Sequence, residues 1–170
     1  NYVRRHFGDF NSQVVGLRYF NVYGPREQHK TNMSSPILKF HDQLKKSGTC
    51  KLFKGSHGYQ DGDHLRDFIY INDCIDVKFW FYENSKSSGI FNVGSSATTS
   101  FNDVAKAVID FNSLKYKKDF KIEYIDFPSN LYDSYQYYTC ADVRKLRKAG
   151  FEKKFTNIKE GVFDYLNQID

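Results

Sequence analysis

An α/β chain, strands alternating with helices, is what the sequence predicts, and three observations carry the prediction. Residues 14–23 form a nearly uninterrupted apolar run rich in β-branched and aromatic side chains, the composition of a parallel strand buried on both faces. Gly24-Pro25 ends it, because proline cannot donate to a ladder and fixes φ. Beyond that turn, short strand-like runs alternate with segments of helical period, with neither internal repeats nor a low-complexity linker.

Each element follows from local signals. Ser34 or Ser35 can cap a helix over residues 34–47, in which Pro36 suits the first turn, Ile37, Phe40 and Leu44 space an apolar stripe, and Ser47-Gly48 ends the run. Lys51-Leu52-Phe53 reads as a short strand. Residues 54–64, with Gly55, Gly58 and Gly62 among polar residues, read as a loop. Residues 67–71 return to strand composition, and Asn72-Asp73 opens a helix whose Ile75, Val77, Phe79, Trp80 and Phe81 surround the axis, the pattern of a buried helix. Residues 89–94 form another strand. Ser100 with Asp103 approximates a capping box for a helix with Phe101, Val104, Ala105, Val108 and Ile109 on one face. Residues 121–125 are the last strand, followed by irregular chain through Pro128 and Tyr135. Helices are expected over 141–149, stopped by Gly150, and from Thr156 to the end with Ile158, Val162, Leu166 and Ile169 inward.

Composition narrows the class. A chain of 170 residues predicts one core and one domain, and 40% hydrophobic with 26% charged residues reads as soluble and globular. No run reaches the ~18 apolar residues of a membrane span, and no signal-peptide pattern opens the chain. Asn1 in place of Met, with Tyr2-Val3-Arg4-Arg5 reading as a helix already under way, suggests a fragment. Cys50, Cys74 and Cys140 are odd in number, widely spaced and without a Cys-x-x-Cys pair, which argues against a disulfide framework or zinc ribbon and suits a reducing cytoplasm. The net charge of +5 is scattered instead of forming one stripe, so no nucleic-acid partner is expected, and the densest cluster, Arg144 to Lys148, reads as the wet face of a helix. A modest positive balance suits a phosphorylated small molecule.

Candidate chemistry gathers at the end of the first strand. Asn21, then Arg26, His29 and Lys30, would sit outside the carboxyl edge of a parallel strand, where open α/β sheets bind ligands; on spacing alone a solvated charged loop is the equal alternative. No Gly-x-Gly occurs among the 11 glycines, so a dinucleotide phosphate loop is missing. His57, Asp61, Asp63 and His64 match neither zinc nor calcium spacing, so a solvated loop and no metal are expected there.

The stretch Arg18-Tyr19-Phe20-Asn21-Val22-Tyr23-Gly24-Pro25-Arg26 resembles the segment that follows the catalytic Tyr-x-x-x-Lys helix in extended short-chain dehydrogenase/reductases acting on nucleotide sugars. His29-Lys30 followed by Met33-Ser34-Ser35 is similar to one branch of them, the NADP-dependent ADP-heptose 6-epimerases of lipopolysaccharide core synthesis. Leu52-Phe53-Lys54-Gly55-Ser56, Arg66-Asp67-Phe68-Ile69-Tyr70, Gly89 to Gly94, and Tyr135-Gln136 with Thr139, Ala141-Asp142 and Leu146-Arg147 look like that branch in order and spacing. The first and last of these discriminate it from other sugar-nucleotide relatives. Tyr82 to Lys86 also spells Tyr-x-x-x-Lys, but after the strand instead of before it, and reads as a chance match.

This resemblance implies the carboxyl half of an NAD(P)-binding Rossmann-like fold, its last parallel strands plus a smaller α/β substrate-binding lobe over residues 1–170. The cofactor-binding amino-terminal half would be absent and the fragment alone inactive. It implies NADP, an ADP-heptose substrate, the missing half of the same enzyme and a homo-oligomer (a pentamer in the family) as partners, a cytoplasmic location, and neither nucleic acid nor membrane as partner. Inversion at the sixth carbon by oxidation and return of hydride to the opposite face needs acid/base groups on both sides. A tyrosine outside this chain supplies one, and the resemblance assigns Lys30 the other, where partial burial would suit an amine to proton transfer.

Val22 and Lys30 are implied to touch the cofactor, and Asn21, Asn32 and Tyr135 the substrate. Phe53, Lys54, Gly55 and Ser56 match a backbone-rich segment wrapping the nucleotide, and Arg66 a guanidinium for diphosphate oxygens. Lys39 stands where relatives carry a substrate-contacting His, and His41, two residues on, cannot simply replace it. The loop 57–65 is longer than the family leads one to expect. Two alternatives stand beside this reading: another nucleotide-sugar epimerase or dehydratase, and a non-catalytic module for an anionic ligand such as RNA.

Overall fold

The structure, a computed structural model, describes residues 5–170; the helical start expected at residues 2–4 lies outside them. Strand β1 (Val15–Tyr19) runs parallel to β6 (Gly89–Val93), and β2 (Asn21–Tyr23) parallel to β5 (Phe68–Tyr70). The one strand expected over 14–23 is therefore two. Phe20 donates its N–H to the Val93 carbonyl at 2.9 Å and Asn21 to the Asp67 carbonyl at 3.1 Å, so the chain exchanges one neighbour for another at Phe20. Burial on both faces does not hold either: Arg18 and Tyr19 are exposed, because β1 pairs only with β6 among the described residues.

The second lobe is built from β3 (Thr49–Phe53) parallel to β8 (Lys121–Ile125) and β4 (Leu65–Arg66) antiparallel to β7 (Thr99–Ser100). Helix α1 (Pro36–Ser47) starts at Ser35, whose hydroxyl accepts the Leu38 N–H at 3.4 Å, and ends at Gly48 with φ 76. Helix α2 (Ile71–Glu83) begins one residue before the expected start and buries Asp73, Cys74, Val77 and Phe81. Burial all round fails there, since Ile75, Phe79 and Tyr82 are exposed; the sheet covers one side only. Helix α3 (Phe101–Tyr116) carries the predicted capping box: the Ser100 hydroxyl accepts the Asp103 N–H at 3.0 Å and donates to its carboxylate at 2.7 Å.

Helix α4 (Arg144–Lys148) is shorter than the expected 141–149. The Ala141 N–H goes to the Asp67 carboxylate at 2.8 Å and the Arg144 N–H to the Asp142 side chain at 3.0 Å, which keeps 141–143 out of the helix. Its basic cluster forms the wet face, with Arg144, Lys145 and Lys148 exposed and Leu146 turned into the core, while Lys145 also donates to the Ile90 carbonyl at 2.9 Å and half-buried Arg147 to the carbonyls of Phe151 and Lys153. Helix α5 (Ile158–Ile169) is capped by Asn157 and buries Val162, Tyr165 and Leu166 completely.

Two apolar clusters result. One joins α1, α3 and α5 to β3, Tyr23 and Tyr70; the other packs α2 and α4 on β1 and β6. Gly161 lets α5 close on the sheet, because a Cβ there would fall 2.0 Å from the Tyr23 hydroxyl. Among the described residues no helix is long and apolar enough to cross a membrane.

The end of α5 adds an electrostatic clasp. The Asp170 side chain, 8% exposed, meets Lys45, the Tyr116 hydroxyl, and Lys115 at 3.2 Å. Burial pushes its carboxyl up, but hydrogen bonds from Lys45, Tyr116 and Lys115 outweigh it and hold the group well below the usual carboxylate range. A carboxyl depressed in the folded state contributes stability that is complete above the unfolded pKa of ~3.9 and is lost as pH falls through the folded value. Urea midpoints should therefore drop below about pH 4, and Asp170→Asn should remove part of that slope. An unchanged slope in the variant would mean the clasp does not contribute.

Candidate functional site

A cavity of about 690 Å³ opens where the two apolar clusters meet. Phe20, Asn21 and Val22 bring the end of the first strand pair to it, Ser34, Ser35, Pro36 and Lys39 the start of α1, and Phe53, Arg66 and Tyr135 the second lobe. Six predicted residues thus converge: Asn21, Val22, Lys39, Phe53, Arg66 and Tyr135. Lys30, Asn32, Lys54, Gly55 and Ser56 do not line it.

Arg66 is the most unusual of the six. It is 7% exposed, yet among the described residues no carboxylate lies within ion-pair distance of it. Its guanidinium donates to the Leu65 carbonyl at 3.2 Å and lies over the Tyr135 ring at 4.9 Å and the Phe101 ring at 5.9 Å. Burial pushes its pKa down, with Tyr135 pushing back. A buried cation without a counter-charge is costly unless something supplies one, and this one borders an open cavity.

Neighbouring groups are fixed by the fold. The Asn21 amide donates to the Asp67 carbonyl at 2.9 Å and to the Thr139 hydroxyl at 3.0 Å, which sets its orientation and leaves its carbonyl oxygen as the free acceptor. Lys39 donates to the Asn32 carbonyl at 2.6 Å, joining the cavity rim to the preceding loop. His41 is 2% exposed and turns into the core beside Phe111, with Asp170 3.9 Å away, so it does not stand in for a ligand contact.

Lys30 and His29 lie on a 3-10 segment, Gln28–Met33, and both are exposed. The partial burial expected of Lys30 is not supplied by the described residues. Thr31 sits at φ 47 and ψ −114, a strained conformation for a β-branched residue. The loop is pinned by Glu27, which is 3% exposed and accepts the Ser35 N–H at 2.8 Å, the Ser35 hydroxyl, and the Tyr165 hydroxyl at 2.9 Å. Sequence reasoning missed Glu27, and no local pattern marks an acidic residue whose donors are a helix cap eight residues on and a tyrosine 138 residues away.

The 54–64 loop departs from the solvated reading. His64 is 1% exposed and lines the cavity; its Nε2 lies 2.7 Å from the Ser56 hydroxyl, which also meets His57 Nδ1 at 3.0 Å. His57 stacks between Tyr132 and Tyr137 at 4.3 and 4.8 Å. The aromatic residues of the 127–137 segment give both rings somewhere to pack. Gly55 is required by the turn: a Cβ would fall 2.2 Å from the Tyr59 carbonyl oxygen. Lys54 reaches outward to Asp126 at 2.7 Å.

Asp67 belongs to the Arg66-to-Tyr70 motif, from which no role is expected of it. Fully buried, its carboxylate accepts the N–H groups of Ser95 at 2.6 Å, Ser96 at 3.0 Å and Ala141 at 2.8 Å, and the Ser95 hydroxyl at 2.7 Å. It thereby braces the strand behind Arg66. Tyr82 is 84% exposed at the end of α2 and Lys86 lies beyond that helix, so the two share no helical face.

The sequence pattern of the NAD dependent epimerase/dehydratase family matches residues 1–94. An ADP-L-glycero-D-manno-heptose-6-epimerase of Alkalilimnicola ehrlichii is 47% identical over 99% of this chain and 51% of its own length. The crystal structure of the Helicobacter pylori ADP-L-glycero-D-manno-heptose-6-epimerase superposes with a TM-score of 0.75 at 30% identity, over 98% of this chain and 48% of that one. A UDP-N-acetylglucosamine 4-epimerase from Methanobrevibacter ruminantium, at 21% identity over 99% of this chain and 49% of its own, gives a TM-score of 0.79 and shows the fold alone. The chain spans about half the length of each of these relatives. With the family pattern matched over more than half of the sequence and the α/β architecture shared with half of each epimerase chain, this chain belongs to the NAD dependent epimerase/dehydratase family.

Proposed function

We propose that this chain is the substrate-binding carboxyl half of a cytoplasmic, homo-oligomeric ADP-heptose 6-epimerase. The complete enzyme would interconvert ADP-D-glycero-D-manno-heptose and its L-glycero epimer for lipopolysaccharide core synthesis, and the fragment alone would be inactive. The observation that carries this reading is Arg66: a buried guanidinium without a carboxylate partner among the described residues, bordering a cavity of about 690 Å³, within the usual size range of small-ligand sites. A diphosphate would complete its coordination, and the aromatic rings of Phe53 and Tyr135 beside it suit the remainder of a nucleotide.

NADP is the proposed cofactor. With no Gly-x-Gly in the chain, its phosphates would be held by residues outside it, while half-buried Val22 offers the apolar contact that a nicotinamide face needs. When bound, the nicotinamide supplies the hydride acceptor and donor. The chain's own residues do the rest: Arg66 binds the diphosphate, Asn21 and Tyr135 orient the sugar, Lys39 and Asn32 form the rim, and Lys30 moves a proton at the oxygen on the sixth carbon. Phe53 to Ser56 shape the nucleotide end.

In the full-length polypeptide containing this chain, Arg66→Ala should raise the KM for ADP-heptose by about 10- to 100-fold, the loss of one charge-assisted contact, and lower kcat less. Steady-state kinetics measures both. An unchanged KM would overturn the reading, as would equal competition by UDP-sugars or RNA.

A further inference from the structure

Within the same cavity, one buried titratable group has no part in the function just described. His64 is 1% exposed, borders the cavity, and stands two residues before Arg66 across the β4 strand, where alternate residues share a face. Both pack on one ring: the His64 imidazole is 5.2 Å from the Tyr135 centroid, and the Arg66 guanidinium 4.9 Å from it. We propose that His64 is a second, titratable element of the anion site, which takes up a proton as a diphosphate settles on Arg66. This rests on the reading that the cavity binds a nucleoside diphosphate sugar.

Three features support the step. In the free chain, His64 is surrounded by groups that disfavour its charge: burial comes first, and Arg66 and His57 add to it, opposed by a hydrogen bond with the Ser56 backbone and by Asp63. The rings of Tyr59, Tyr135 and Phe127 pack around it. Asp63 is already engaged by the Asn102 amide at 2.8 Å. An arriving diphosphate brings at least two negative charges, which cancel the Arg66 repulsion and favour imidazolium.

The hydrogen-bond partner also permits the change. A serine hydroxyl both donates and accepts, so Ser56 can keep its 2.7 Å contact with Nε2 whether the ring is neutral or charged. No bond has to break. The proton comes from solvent, and none is transferred to the ligand.

Linkage fixes the sign. A pKa raised by binding makes the ligand bind more tightly at low pH, and the gain disappears above the bound-state pKa. ADP-glucose serves as probe, because its diphosphate diester has no group titrating near neutrality. Calorimetry on the full-length polypeptide, in buffers of different ionisation enthalpy, should record net proton uptake near pH 7 and affinity tightening by about 3- to 10-fold from pH 8 to pH 6. His64→Phe and His64→Gln, the second still able to bond Ser56, should both lose the uptake and with it the tightening between pH 8 and pH 6. Binding without proton uptake, or uptake that survives in both variants, overturns the proposal but leaves the site intact. Absence of ADP-glucose binding, or binding that Arg66→Ala leaves unaffected, overturns the site and the proposal together.

Discussion

On the proposed reading, replacing Lys30 with Met in the full-length polypeptide is expected to lower epimerisation by roughly 100- to 10,000-fold, the usual range for loss of a general acid or base. Methionine keeps the aliphatic stem and removes the proton carrier. The effect should fall on kcat, because Lys30 does not line the cavity that holds the proposed diphosphate anchor. Bound NADP must be quantified by absorbance after denaturation, since the resemblance also brings Lys30 near the cofactor. Turnover close to wild type with full cofactor would reduce Lys30 to a loop charge and shift the role to His29, its neighbour on the same segment.

The second large effect is structural. Asp67→Ala removes one carboxylate and strands the N–H groups of Ser95, Ser96 and Ala141, all of which it accepts at 3.0 Å or less. Loss of a buried charged acceptor with this many donors should cost about 3–5 kcal/mol, a large fraction of a domain's stability. Asp67→Asn should recover part of this, because its amide oxygen still accepts while its NH2 faces donors on the other side. Urea denaturation of the full-length protein measures both. A loss below about 1 kcal/mol for Asp67→Ala would mean that water replaces the carboxylate freely.

What the sequence made legible was mostly local. The Ser35 cap, the Ser100–Asp103 box and the Gly48 stop are each read within a few residues of the helix they bound, and all three stand in the structure. The resemblance implies separate substrate contacts for Arg66 and Tyr135, and the fold puts the cation over the ring. The change of partner at Phe20 was not legible, because it depends on which strands lie alongside. Composition likewise told that α2 is apolar all round but not that one face would be left uncovered, with Phe79 61% exposed. Glu27, Asp67 and His64 escaped for a related reason. Each is a polar residue whose burial is decided by donors or rings outside its own window, which reads as loop around Glu27 and His64 and as strand around Asp67.

The Glu27 contact with Tyr165 spans 138 residues of chain. During synthesis the segment carrying His29 and Lys30 emerges long before the hydroxyl that secures its carboxylate. Until the last helix docks, Glu27 has only its Ser35 donors and the segment lacks its final brace. A nascent chain that ends before residue 165 therefore lacks the hydroxyl that completes the donors around the Glu27 carboxylate, and its 28–33 segment stays without that brace.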